Sequence, residues 1–287
     1  MSVRYTITSH NSPRSADRSL VRGRRKSSRL PLVAALFSTI LFVVWLDCSA
    51  LWAHGDDQPQ IPILVYHRFG PVVADNMTVT TPVFASQLQY LHENGYTMIS
   101  LRQLVAYRLG QAPSPPPRSV VITVDDAHQS VYSHMFPLVK RHRIPVTLFV
   151  YPSAISNASY ALRWKQLQEL QATGLFDIQA HTYWHPNFKK EKKRLAPEQY
   201  EKLVESQLSK AKTTLESRLG LHIDFLSWPF GIYDDELISK AIAAGYVAAV
   251  TLDRRHTNPS DSLMALPRYL MTDADRGKRF ARLVSGL

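Results

Sequence analysis

Two groups of residues in this 287-residue chain could do chemistry. The first is Asp125-Asp126, which closes the apolar run Val120-Val-Ile-Thr-Val124. Neighbouring residues on a strand point to opposite faces, so both carboxylates can serve one site only where the strand ends and twists. Side by side and ionised they repel, and a bound cation would relieve this. The bland reading is an acidic turn, or the N-cap of the helical stretch that follows. The second group is His181-Thr-Tyr-Trp-His185-Pro186, after the strand expected at 176–179. A spacing of four puts both imidazoles on one face whether the segment is extended or helical. Two neutral imidazoles and one carboxylate make a facial ligand set with positions left open for water and substrate. Taken alone, the pair reads equally as surface or core histidines. The zinc-protease helix requires Glu directly after the first His, and Thr182 stands there instead.

The elements that must hold these residues alternate along the chain. Short apolar runs predict strands over 63–67, 97–100, 120–124, 146–151, 177–181, 224–228, 247–252 and 265–271. Helical patterns lie between them. One opens at Thr81-Pro82, one runs over 199–219 to Gly220, and one runs over 234–244 to Gly245. The Pro-rich stretch 113–117 reads as a stiff connector, and Lys189-Lys-Glu-Lys-Lys-Arg194 as a solvated helical approach. Strands separated by helices predict an α/β fold with a parallel sheet, an irregular or incomplete (β/α) barrel of about seven or eight strands. Chemistry in such a barrel lies at the C-terminal ends of the strands, where both groups fall.

Composition narrows the class. The chain is 45% hydrophobic and 20% charged, enough to bury a core. Its one cysteine, Cys48, excludes an internal disulfide framework and a thiolate zinc cluster. The eleven histidines direct any metal site to imidazole and carboxylate ligands. The net charge of +11 is unevenly spread. Residues 1–29 hold eight basic side chains against Asp17, a net +7, which leaves +4 for the remaining 258 residues. A nucleic-acid partner is therefore not expected.

Behind the basic tail, residues 30–46 carry no charge. As a helix they would span roughly 25 Å, just short of a hydrocarbon core of about 30 Å, and extension to Ala53 would suffice. Residues 30–53 read as a signal peptide or membrane anchor, with 1–29 on the cytoplasmic side and 54–60 as a linker. The catalytic domain is expected over 61–287, outside the cytoplasmic membrane, anchored or secreted.

Three motifs in order carry a resemblance: Thr123-Val-Asp125-Asp126, His181-Thr-Tyr-Trp-His185-Pro186 and Trp228-Pro-Phe-Gly231. Ile63-Leu-Val-Tyr-His67-Arg68, Pro145-Val-Thr-Leu-Phe149 and Leu266-Pro-Arg268 flank them. Over about residues 61–275 the chain resembles the NodB-type polysaccharide deacetylases, carbohydrate esterase family four. Within that family it looks most like deacetylases of poly-β-1,6-N-acetylglucosamine, a biofilm matrix polymer.

The resemblance implies that Asp126, His181 and His185 hold one divalent metal ion, zinc first, with nickel, cobalt or iron as alternatives. It makes Asp125 the general base and the Phe230 backbone N–H an oxyanion donor. Trp184, Trp228, Pro229, Tyr183 and His67 would line the substrate groove, while Trp164 reads as core. The implied partners are an N-acetylglucosamine polymer, the membrane through 30–53, and exopolysaccharide export machinery.

Three departures from the family pattern stand out. Ala127-His128 replaces the usual Gly after the second Asp, at a cost if that position needs positive φ. Ser227-Trp228 stands where an Arg often orients the base, an absence shared with the biofilm-type members. The catalytic acid, a late His in the family, has His256 as its candidate here, with His128 and His67 as others. Two rival readings remain: the same chemistry on peptidoglycan, chitin oligomers or another acyl sugar, and a glycan-binding pseudoenzyme in an export complex.

Overall fold

The computed structural model describes residues 59–286. The basic tail, the expected signal or anchor segment 30–53 and residues 54–58 of the linker lie outside the described residues. Among the described residues no helix is long and apolar enough to cross a membrane.

The described residues begin with β1 (Ile63–Tyr66), β2 (Arg68–Gly70), β3 (Thr78–Thr80) and α1 (Thr81–Glu93). It continues through β4 (Thr97–Ile99), α2 (Leu101–Arg108), β5 (Ser119–Val124), α3 (Phe136–His142), β6 (Val146–Val150) and α4 (Trp164–Ala172). Then come β7 (Phe176–Ala180), α5 (Phe188–Arg194), α6 (Pro197–Leu219) and β8 (Phe225–Ser227). The last elements are α7 (Asp235–Ala243), β9 (Ala248–Val250), β10 (Tyr269–Leu270) and α8 (Lys278–Ser285).

The main sheet runs β10-β1-β5-β6-β7-β8-β9, every pairing parallel, with β4 against the first half of β5. The strand expected over 265–271 narrows to two residues because its first part pairs elsewhere. Leu266 donates to Ala249 O at 2.9 Å and accepts from Thr251 N at 2.8 Å. Pro267 then has no N–H to continue a ladder. Segment 266–271 thus bonds β9 on one side and β1 on the other, and the curled sheet returns on itself. This agrees with the barrel expected from the alternation of elements. Strands β2 and β3 were not expected and form a separate parallel pair.

Strands β1, β5 and β6 are buried at every position, as parallel strands covered on both faces must be. Their side chains divide with period two. Ile63, Val121, Phe149, Phe225 and Val250 pack with Leu101 and Leu104 of α2 in an inner cluster. Leu64, Ile122, Leu148 and Leu226 face the surrounding helices. Following the same alternation, β5 turns polar as it rises, from Val121 to Thr123 to Asp125.

Helix α1 begins one residue earlier than expected at its cap. The cap position is Thr80, whose hydroxyl and N–H both donate to Asp273 at 2.7 and 2.9 Å instead of capping the helix. Helix α6 ends at Gly220 with φ of 65°, a left-handed residue that spares a Cβ clash. The run 189–194 lies in α5.

Candidate active site

The site forms at the C-terminal ends of β1, β5, β7 and β8. Asp125 follows β5 and is buried. Its N–H donates to Tyr66 O at 2.9 Å, which holds it to the end of β1. Arg268 donates to both carboxylate oxygens, at 2.8 and 2.7 Å, and the Ser227 hydroxyl donates to Oδ2 at 2.9 Å. Arg268 is itself fully buried and donates further to Thr251 O and to the Thr123 hydroxyl. Burial alone would raise the Asp125 pKa, but the charge and hydrogen bonds of Arg268 outweigh it and hold the carboxyl well below its usual range.

Asp126 and Ala127 both take left-handed backbone, with φ of 71° and 51°. The position after the second Asp therefore does need positive φ, and Ala127 carries the strain that a Gly would avoid. This turn brings the Asp126 carboxylate across to the histidines. Asp126 Oδ1 lies 3.6 Å from His181 Nε2 and 3.9 Å from His185 Nε2. Burial is the main cause that pushes the Asp126 pKa up, and the neighbouring Asp125 charge adds to it.

His181 follows β7 and donates from Nδ1 to Ser227 O at 2.8 Å. That bond fixes the tautomer and leaves the Nε2 lone pair free as a ligand. Burial lowers the His181 pKa to about 3, so the ring is neutral near pH 7. Thr182 and His185 take φ of 60° and 63°, and the Thr182 hydroxyl accepts from His185 N at 3.2 Å. This turn folds His185 back until its ring meets that of His181 edge-to-face at 4.5 Å. The segment is neither extended nor helical there, yet the two imidazoles converge.

One ligand atom each from Asp126, His181 and His185 lie within 4.8 Å of one another. Metal bonds of about 2.0–2.2 Å place neighbouring ligand atoms roughly as far apart as the 3.6 and 3.9 Å seen here. Two imidazoles and a carboxylate suit zinc, nickel, cobalt or iron. The residues fit a divalent ion.

His67, just past β1, is buried, and its Nδ1 has no hydrogen-bond partner. Burial lowers its pKa, and the charges of Asp125 and Asp126 oppose that shift. Phe230 is 55% exposed with φ of 59°, and its ring lies 4.6 Å from that of His185. The next residue, Gly231, has φ of +67°, and a Cβ there would meet Leu252 backbone N at 3.0 Å. The Pro229-Phe-Gly turn is thus pressed against the end of β9. Pro229 itself is buried beneath the turn. Trp184 is 42% exposed, and its N–H donates to Gln207 at 2.9 Å. Tyr183 is half-buried under the Lys210 ammonium, 4.1 Å from its ring.

Two expectations are corrected. Trp228 does not line a groove. It is a buried core residue whose indole N–H donates to Met264 O at 2.9 Å. Its predicted role rested on its place in a motif, but the inward step after Ser227 leaves no open surface. His256 is not at the site either. After β9 the chain runs back, and Thr257 N donates to Ile61 O ahead of β1. His256 therefore sits at the opposite end of the sheet, where Nε2 bonds Leu283 O at 2.9 Å.

Sequence reading missed Arg268 as the partner of Asp125. In the sequence it stands only in the flanking Leu266-Pro-Arg268, with nothing to link it to the missing Arg before Pro229. Its one signal was a charged residue flanked by Leu266 and Met271, both buried. Tyr151 was also missed, with its ring 5.4 Å from that of His185 and its hydroxyl 2.8 Å from that of Tyr160.

Residues 112–249 match a family model described as polysaccharide deacetylase. A Staphylococcus epidermidis protein named poly-β-1,6-N-acetyl-D-glucosamine N-deacetylase is 27% identical over 202 residues, 69% of each chain. The putative polysaccharide deacetylase YxkH of Bacillus subtilis is 24% identical over 241 residues, 84% of this chain and 82% of that one. Among solved structures, IcaB from Ammonifex degensii aligns over 78% of this chain and 97% of its own, with TM-score 0.69 and 25% identity. The Streptococcus pyogenes deacetylase PplD, in complex with acetate, shares the fold at TM-score 0.70 and 22% identity, over 79% of this chain and 99% of its own.

Proposed function

The chain carries a polysaccharide deacetylase domain, and from that premise we propose that it hydrolyses the acetamides of an N-acetylglucosamine polymer with one divalent metal ion. Poly-β-1,6-N-acetylglucosamine is the substrate put first. The observation that carries the reading is the convergence of Asp126, His181 and His185, with Asp125 held beside them by Arg268. Asp125 Oδ2 lies 3.7 Å from His181 Nε2, so the carboxylate reaches the space in front of the three ligand atoms.

Asp126, His181 and His185 would hold the ion. A divalent ion there supplies Lewis acidity, which lowers the pKa of water and polarises the acetamide carbonyl. Asp125 takes the proton from the attacking water. Arg268 and Ser227 fix the carboxylate's orientation and keep it ionised at neutral pH. The backbone N–H of Phe230 donates to the carbonyl oxygen as it gains charge. The departing sugar amine must gain a proton, and His67, buried just past β1 with an unpartnered Nδ1, is the imidazole assigned to give it. The products are acetate and a free amine. Trp184, exposed next to His185 in sequence, offers an apolar face to a pyranose ring.

The preference for the β-1,6-linked polymer is supported by the names borne by relatives such as the S. epidermidis protein. The basic tail and the segment 30–53, apolar apart from Asp47, support action outside the cytoplasmic membrane.

The test is metal titration of the purified full-length chain. Wild type should bind one divalent ion, and His181→Ala and Asp126→Ala should lose both the ion and acetate release. Asp125→Asn should keep the ion and lose activity by roughly 10²-fold or more. Wild-type activity that survives complete removal of metal would overturn the reading.

A further inference from the structure

The loop between β6 and α4 is tied to the turn that carries Asp126. Leu162 N donates to Ala127 O at 2.9 Å, and Gln129 N donates to Tyr160 O at 2.8 Å. His128 and Ala161 form an isolated antiparallel bridge across the same join. The two strips join beside the proposed metal ligands, for His128 follows Asp126 by two residues and Tyr160 reaches His185 through Tyr151. There the His128 and Tyr160 rings lie nearly parallel, 9° apart in plane with centroids 6.2 Å apart. Tyr160 is 40% exposed, and through its hydroxyl it meets Tyr151, which packs against His185.

His128 is held in one tautomer. Ser130 N donates to its Nδ1 at 3.2 Å, so that nitrogen is an acceptor. The Ser130 hydroxyl also lies 2.8 Å from Nδ1, while it accepts from Phe69 N at 2.9 Å. With Nδ1 committed as an acceptor, the ring proton of the neutral imidazole is on Nε2, a donor directed away from the Ser130 anchor.

We propose that His128 and Tyr160 form a sugar subsite next to the metal centre, which takes the pyranose ring adjacent to the one being deacetylated. The proposal rests on the deacetylase reading above and adds where the next residue of the glycan lies. Tyr160 gives the C–H face of the ring an aromatic platform, and His128 Nε2–H donates to a hydroxyl or acetamide oxygen. The replacement of the usual Gly by Ala127-His128 then has a use: the strained turn delivers a fixed donor to the join.

The test measures binding of β-1,6-linked N-acetylglucosamine oligomers of one to five units to the full-length, zinc-loaded chain. An Asp125→Asn background keeps the oligomers intact. Affinity should rise on passing from one unit to two or more. Tyr160→Ala should cut that rise by about three- to tenfold, Tyr160→Phe should keep most of it, and His128→Gln should lose part of it. A rise with length that is the same in Tyr160→Ala overturns the subsite and leaves the deacetylase reading intact. So does flat affinity with length in a protein whose Asp125 form releases acetate. No glycan binding together with no acetate release overturns both.

Discussion

Arg268 donates a parallel pair of hydrogen bonds to Asp125, at 2.8 and 2.7 Å, across 143 positions of sequence. Both side chains are buried, so neither charge has water to fall back on. Removing one partner strands the other. Arg268→Met should therefore cost about 3–5 kcal/mol of stability in denaturant unfolding. Adding Asp125→Asn to it should return part of that loss, because the unpaired buried charge is gone. A double variant no more stable than the single one would mean that the pair is not the source.

The two tryptophans flanking the site should separate stability from binding. Trp228→Ala should destabilise by about 3–5 kcal/mol, as a buried aromatic does. Trp184→Ala, at an exposed position, should leave unfolding within about 0.5 kcal/mol of wild type and raise KM on the polymer. Denaturant melts and initial rates read both. Equal losses of stability in the two variants would contradict this assignment.

If His67 protonates the leaving amine, His67→Gln should lower kcat by roughly 10²-fold or more. Metal affinity should stay, since His67 is not among the three ligands. His256→Gln should leave kcat untouched, because that ring lies at the other end of the sheet against Leu283. Loss of kcat in His256→Gln with His67→Gln active would reverse the assignment.

Asp275 governs part of the acid stability. It is buried and accepts from Thr272 N and the Thr272 hydroxyl, both at 2.8 Å, and pairs with Arg254 and Arg279. Burial would raise its pKa, but those hydrogen bonds and charges lower it below the usual carboxylate value. The folded form thus binds the proton less readily than the unfolded one. Its stabilisation is full above about pH 4 and is lost as pH falls through the lower folded value. Asp275→Asn should be less stable at pH 7 by roughly 1–3 kcal/mol and should lose less on acidification. Parallel stability curves for the two proteins from pH 7 to pH 3 would contradict this.

Much of this was legible in the sequence, and the reasons differ by residue. The buried parallel strands showed as apolar runs because both of their faces are covered. Asp125 and Asp126 showed because they close such a run, and His181 and His185 because two imidazoles four residues apart follow a strand. Strands β2 and β3 did not show, since three residues with one Arg or two Thr carry no period. Arg268 was unreadable as a partner because the contact depends on how the sheet closes, which brings segment 266–271 beside β1. The same closure misled the reading of His256: its distance from the site follows from a chain that runs back after β9. Trp228 was misplaced because a motif gives neighbours in sequence, whereas its burial depends on Met264.

The central claim is a metal-dependent deacetylation of a glycan, and release of acetate tests it most directly. The full-length chain, stripped of metal and then reloaded with zinc, would be incubated with poly-β-1,6-N-acetylglucosamine oligomers, chitin oligomers and peptidoglycan in parallel. The account predicts acetate and free amine in equal amounts from the β-1,6-linked oligomers, fastest among the three. It predicts none from the stripped protein or from His181→Ala. No acetate from any of the three, with one ion bound per chain, would contradict it.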